Sequence, residues 1–517
     1  MGLWLLILIP LLAAPVAWMG QQWSRHAPRW IALSALSVDV LLALFLSNQG
    51  HSVQASDHGA WLVETQTDWI PHWGITLHLG LDGLSLILIL LTAFIGVIAI
   101  IASWTEIRSR VGLFHCNVLL ALGGVIGVFL AIDLFLFFFF WELMLIPMYL
   151  LIVIWGHAQR RHASFKFFLF TQAGSLVLLV AIIALALLHQ QATGRLSFDY
   201  ADLMGLTLSS EMARWLMLAF LFGFLVKLPA LPFHTWLPDT YTEAPTGATI
   251  ILAGILAKTG AYGLLRFTVP MFPEVISAVA PFVMGLGALS ILYGAVLACA
   301  QSDIKRLVAY SSISHMGFIL LGAFAGTELA LQGAVMQMVA HGLSTGGLFL
   351  LAGALEERYQ TRDMGQMGGL WSVTPRLAPM ALFFACASLG LPGLANFIGE
   401  FLVLFGSYAA QPIMIILASL GMVLAAIYSL GMMQRTFFGR QQDPRSVPDL
   451  SNVAFGTVLF IAVLQIWLGL YPRVVLSTAQ PVMEQLVQAA VASAHPTQSR
   501  AKSLLSSHII TSQGNIP

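Results

Sequence analysis

Among the ionisable residues inside the long apolar runs of this chain, six stand out: Glu142, Lys227, Lys258, His315, His341 and Glu400. An ionisable side chain at the centre of a bilayer costs roughly 2.5–3.5 kcal/mol on insertion scales, so it needs a partner or a task. Carboxylate, ammonium and imidazole groups all take up and release protons, and the chemistry such a set can do is proton transfer. Blander roles exist for each. A Glu142–Lys227 pair could merely fix helix packing, and either histidine could simply hydrogen-bond a neighbouring carbonyl. Asp133 and Asp303 fall near segment ends and read as solvated ends. Arg160, Arg161 and Lys166 read as topology determinants. Cys116, Cys299 and Cys386 are far apart with no CxxC spacing. That excludes a cysteine-ligated iron–sulfur cluster within the chain and argues against disulfides.

The elements that must position the six residues follow from composition. Of 517 residues, 58% are hydrophobic and 9% charged, whereas soluble domains run near 25% charged. About 20 apolar residues at 1.5 Å rise cross a hydrocarbon layer of about 30 Å. Such runs predict an all-α polytopic membrane protein with fourteen spans, near 2–19, 29–47, 83–103, 112–131, 133–155, 164–189, 212–239, 246–268, 277–299, 306–326, 332–354, 377–408, 412–434 and 452–471. The first lacks a basic flank and reads as a retained helix rather than a signal peptide. Counted from the cytoplasmic ends, His315 and Lys258 lie roughly 14 and 18 Å deep. Glu142, Lys227 and His341 fall near their span centres and Glu400 somewhat beyond its own. The six therefore approach one plane parallel to the membrane.

Two spans are interrupted at depth. The seventh carries Pro229 and Pro232 just after Lys227, and the twelfth carries Pro392-Gly393 before Glu400. Proline removes a backbone donor and clashes with the preceding turn. Matching broken helices in two halves of a transporter point to inverted repeats with ion sites at the breaks. Pairing spans four to eight (112–268) with nine to thirteen (277–434) puts both breaks in the fourth helix of a five-helix unit. Fifteen Lys and Arg follow odd-numbered spans, from Arg25 to Arg445. The opposite loops and segment ends hold Arg195, Arg214, Arg266 and Arg473, and the tail adds Arg500 and Lys502. The positive-inside rule then makes the richer side cytoplasmic and puts both termini outside. Residues 1–471 form one transmembrane domain. Residues 472–517 form an external segment, partly disordered, with a short amphipathic helix near Gln480–Val491.

The run from Phe233 to Thr246, reading FHTWLPDTYTEAPT, resembles the signature of the antiporter-like subunits of respiratory complex I. The runs Phe140–Tyr149 (FWELMLIPMY) and Leu391–Phe401 (LPGLANFIGEF) resemble subunit M of bacterial NADH-quinone oxidoreductase, the counterpart of mitochondrial subunit 4. The likeness covers nearly the whole chain. Glutamate at position 400 favours that subunit over its longer sister, which has lysine there and a lateral C-terminal helix. Tyr241 departs from the pattern, since many relatives carry histidine there, and a proton-entry role is not carried over to it.

The resemblance implies that Glu142, Lys227, Lys258 and Glu400 relay protons with His315 and His341 assisting. It also implies that NAD, FMN, iron–sulfur clusters and quinone bind partner subunits, with sister antiporter-like subunits alongside. The expected mechanism starts from a Glu142–Lys227 ion pair whose separation changes with quinone reduction elsewhere. The rivals are a subunit of a multisubunit sodium/proton antiporter, the membrane arm of a hydrogenase, and a purely structural membrane subunit.

Overall fold

The computed structural model describes residues 2–49, 61–440 and 448–494. Asp57, Arg445 and the tail beyond Ala494, on which some expectations rest, lie outside these residues. Among them, eleven helices are long and apolar enough to cross a membrane. Ser210–Lys227, Ile304–Ala323 and the pair Leu377–Ser388 with Ala395–Ser407 supply the other three crossings. Each expected span thus coincides with a helix, because a backbone in hydrocarbon must satisfy its own hydrogen bonds.

Both predicted breaks are present. The seventh span stops at Lys227, turns through residues 228–235, and resumes as Trp236–Glu243. The twelfth opens between Leu389 and Leu394, where Gly390 and Gly393 take φ of 78° and 94°. Two irregularities were not expected. The fifth span is split at Met144 into Leu134–Leu143 and Leu145–Trp155, where Pro147 withholds the donor that the Leu143 carbonyl would use. The eighth contains two π-helical turns, Leu252–Leu256 and Leu264–Thr268, on either side of Lys258. Wide turns of this kind occur frequently at functional sites.

A repeated motif relates the two halves. Leu134 N donates to Phe198 O at 2.9 Å, and Asp133 bridges Asp199. Ile304 N donates to Arg362 O at 3.0 Å, and Asp303 bridges Asp363. All four aspartates also cap the helical turn that follows them. Five crossings separate the two copies, an odd number, so they close opposite faces of the bundle. The reading of Asp133 and Asp303 as solvated ends is therefore corrected. Asp133 is fully buried under four donors from Thr76, Phe135 and Leu136, and Asp303 pairs with Arg362 at 3.1 Å. A helix N-terminus has unpaired N–H groups, and a carboxylate satisfies them where water cannot reach.

Loop residues outside the spans are pinned as firmly. Strands Val63–Thr65 and Leu79–Leu81 pair antiparallel. They hold His78 between Asp199 at 2.5 Å and Glu64 at 2.7 Å. Burial opposes charge on His78, but the hydrogen bonds and charges of Asp199 and Glu64 outweigh it and hold its pKa above the ordinary value. On the other face Lys305, one of the fifteen basic residues counted after odd-numbered spans, is fully buried against Glu356 at 2.5 Å. Arg266, expected at a segment end, is buried and paired with Asp82. The C-terminal helix is longer than expected, running Arg473–Ala494. It lies on the bundle, with Ala479 and Met483 fully buried and the Thr478 carbonyl against Gly83.

Candidate functional site: a buried polar chain across the bundle

Lys258 owes its position to its neighbours' shape. A Cβ on Gly260 would lie 2.7 Å from Phe224 O and 2.8 Å from Leu228 N, so only glycine lets the eighth span touch the seventh beside Lys227. The Tyr241 hydroxyl donates to Leu252 O at 3.0 Å, at the start of the first wide turn. Just past that turn, the fully buried Lys258 ammonium reaches back to donate to Ala253 O and meets His341 Nδ1 at 2.6 Å. The rings of His341 and His315 stand 5.3 Å apart between centroids. His315 Nδ1 lies 3.0 Å from Glu400 Oε1, and its Nε2 lies 3.2 Å from the Ser388 hydroxyl. Four of the six expected residues thus form one succession, Lys258–His341–His315–Glu400. Each of the four is at least 98% buried, the largest exposure being 2%.

The twelfth-span break fits around this end. A Cβ on Gly390 would lie 2.8 Å from Glu400 Oε2, so the left-handed glycine leaves the carboxylate its room. Gln337 Nε2 donates to Glu400 Oε1 at 3.1 Å and approaches His315 Nδ1 at 3.2 Å. One turn before Glu400, Asn396 Nδ2 donates to Ser344 Oγ at 3.2 Å.

Glu142 and Lys227 are placed differently from the expectation, and the ion pair is corrected. Lys227 is buried, but its ammonium sits 4.4 Å over the centroid of the Trp141 ring. Neither Lys227 Nζ nor Glu142 Oε1 has a direct hydrogen-bond partner among the described residues. Glu142 is only partly buried, next to the Met144 kink, and acts on Lys227 electrostatically across a gap. Trp141 supplies the nearest cation-binding surface: stacking on a ring face is worth about 0.5–2 kcal/mol and needs no counter-charge. The Trp141 indole is itself fixed by donating to Ser175 Oγ at 3.0 Å.

Sequence reasoning passed over Gln337, Trp141 and Ser388 because it weighed only titratable groups. A usable signal was present. Gln337 precedes His341 by one helical turn, as Asn396 precedes Glu400, and such pairs share a face. Among the described residues no group of three His, Cys, Asp or Glu is disposed to hold a metal ion.

A many-span bundle with two interrupted helices and a buried succession of amine, imidazole and carboxyl groups is the architecture of an ion-translocating membrane subunit. Residues 131–426 match the family model described as NADH:quinone oxidoreductase/Mrp antiporter, transmembrane. The chain is 49% identical to NADH-quinone oxidoreductase subunit M of Pseudomonas aeruginosa over 492 residues, which cover 93% of this chain and 97% of that one. Its fold superposes on a chain of respiratory complex I from Thermus thermophilus with a TM-score of 0.85 and 33% identity. That match covers 95% of this chain and all of the other. A chain of the Mrp complex from Dietzia shares the fold alone, at TM-score 0.81 and 21% identity, over 95% and 99% of the two chains. The chain belongs to the family of antiporter-like membrane subunits, in the subunit M group of NADH-quinone oxidoreductases.

Proposed function

We propose that this chain is a proton-translocating subunit of a bacterial NADH-quinone oxidoreductase, with Lys258, His341, His315 and Glu400 as its proton conduit. The observation that carries the reading is two buried polar contacts, Lys258–His341 and His315–Glu400, brought together by imidazole rings 5.3 Å apart between centroids. The redox cofactors (NAD, FMN, iron–sulfur clusters) and quinone belong to partner subunits, and sister antiporter-like subunits flank this one in the membrane. The bundle works as two inverted units, about 112–268 and 277–434, with the C-terminal segment on the external face.

Glu142 and Lys227 act as the switch. In the open arrangement the ammonium rests on Trp141. Closing it onto Glu142 at 4 Å, with an effective dielectric near 20, gains about 4 kcal/mol. That exceeds both the ring contact and the roughly 2.3 kcal/mol needed to move one charge through 100 mV. A shift of charge in a neighbouring subunit can therefore open or close the pair and change the field at Lys258. Lys258 then passes a proton to His341 Nδ1, His341 releases one from Nε2 through a bridging water to His315, and His315 delivers one from Nδ1 to Glu400 Oε1. Affinity purification of the tagged chain from its own membranes should bring down flavin and iron–sulfur subunits. Recovery with a sodium/proton antiporter complex instead would overturn the assignment.

Orientation follows from the basic residues, with both termini periplasmic. A cysteine at exposed Thr67 should react with an impermeant thiol reagent from the periplasmic side, and one at exposed Gln360 only from the cytoplasm. The reverse pattern would invert the assignment.

A further inference from the structure

Spans nine (Pro273–Cys299), ten (Ile304–Ala323) and thirteen (Pro412–Phe437) border an open cleft of about 480 Å³, whose lining includes Cys299, Tyr428 and Arg435 on its polar side and exposed Val423, Ile427 and Leu430 on its outer side. Its mouth carries the exposed polar side chains Gln434 and Arg435, and the Arg435 guanidinium is anchored on Gln301 O at 3.1 Å. Its floor is Tyr428, 3% exposed and about 14 Å inside the end of its helix at 1.5 Å per residue. The buried Tyr428 hydroxyl has no partner in good hydrogen-bond geometry among the described residues. It lies beside Ser388 and Ser311 with the Glu400 carboxylate in electrostatic reach. Ser388 in turn touches His315 Nε2 at 3.2 Å. A hydroxyl both donates and accepts, so two in succession can pass a proton by exchanging hydrogen bonds. A buried polar atom without a protein partner, next to a roomy cleft, is the setting in which bridging water is held.

We propose that this cleft is a water-filled access path that brings protons from the cytoplasmic face through Tyr428 and Ser388 to His315. The inference rests on the proposed relay and orientation. It adds an entry to the conduit at His315 that is separate from the one through Lys258. Position 431 gives a direct probe, because a Cβ there would meet nothing within 4 Å.

The experiment uses the whole complex in membrane vesicles, carrying Cys299→Ser with Gly431→Cys. A charged methanethiosulfonate applied from the cytoplasmic face should modify position 431 and lower the protons pumped per electron several-fold. In a second variant, Tyr428→Phe, assembly and NADH oxidation should persist, while pumping should weaken most at alkaline cytoplasmic pH, where proton supply limits. Reaction only with a membrane-permeant, uncharged reagent would mean that acyl chains fill the cleft, and would overturn the proposal. So would full pumping after modification, provided an assembled Glu400→Gln complex loses pumping in the same assay. Full pumping in Glu400→Gln would instead remove the relay itself.

Discussion

Glu142→Gln should assemble in normal amount and yet lose tenfold or more of its quinone-coupled proton pumping. Gln has nearly the shape of Glu and the position is only partly buried beside the Met144 kink, so packing has little to lose. What disappears is the charge. Without it the Lys227 ammonium has only the Trp141 ring, and the two-position switch becomes one position. Closure is worth about 4 kcal/mol, and each 1.36 kcal/mol is tenfold in rate, so tenfold is a conservative expectation. Trp141→Phe should act in the same direction but more weakly, since a smaller ring still binds a cation. The measurement is proton uptake by inverted vesicles, normalised to assembled complex. Normal pumping by an assembled Gln variant would sink the switch.

Glu400 should separate chemistry from packing. Glu400→Gln can still accept from Gln337 Nε2 and face His315 Nδ1, so the broken twelfth span should hold, but the amide cannot take the proton. Pumping should therefore fall at least tenfold while assembly remains near normal. Glu400→Ala should fail on both counts, because it leaves Gln337 and His315 without their buried acceptor, at about 1–3 kcal/mol for each such group. Glu400→Asp should recover part of the activity, limited by a side chain one methylene too short to span the 3.0 Å contact unaided. If the Gln variant pumped as well as the parent chain, Glu400 would be a structural ligand of the helix break and the conduit would have to end elsewhere. Recording pumping and NADH oxidation together keeps a coupling defect distinct from an assembly defect.

Much of this molecule is dictated locally. Run length and apolarity alone determine the fourteen crossings, since about 20 residues fill the bilayer and each helix satisfies its own backbone. Proline and glycine chemistry determines where the seventh and twelfth spans open. Insertion cost singles out the six ionisable residues, because few such groups survive at depth without a role.

Tertiary structure decided which of them meet. Lys258 and His341 are 83 residues apart in sequence, and His315 and Glu400 are 85 apart. No periodicity within one helix can say how two helices rotate against each other. The same ignorance produced the ion pair that the structure replaces with a cation over Trp141. It also produced the solvated reading of Asp133 and Asp303, each of which finds its partner on a distant segment. The wide turns around Lys258 escaped notice because they come from packing and from the Tyr241 hydroxyl on Leu252 O, not from any helix breaker in the eighth span. A sequence determines which groups must be buried in a membrane. Only the packed bundle decides which of them lie within the 3 Å that a proton can cross.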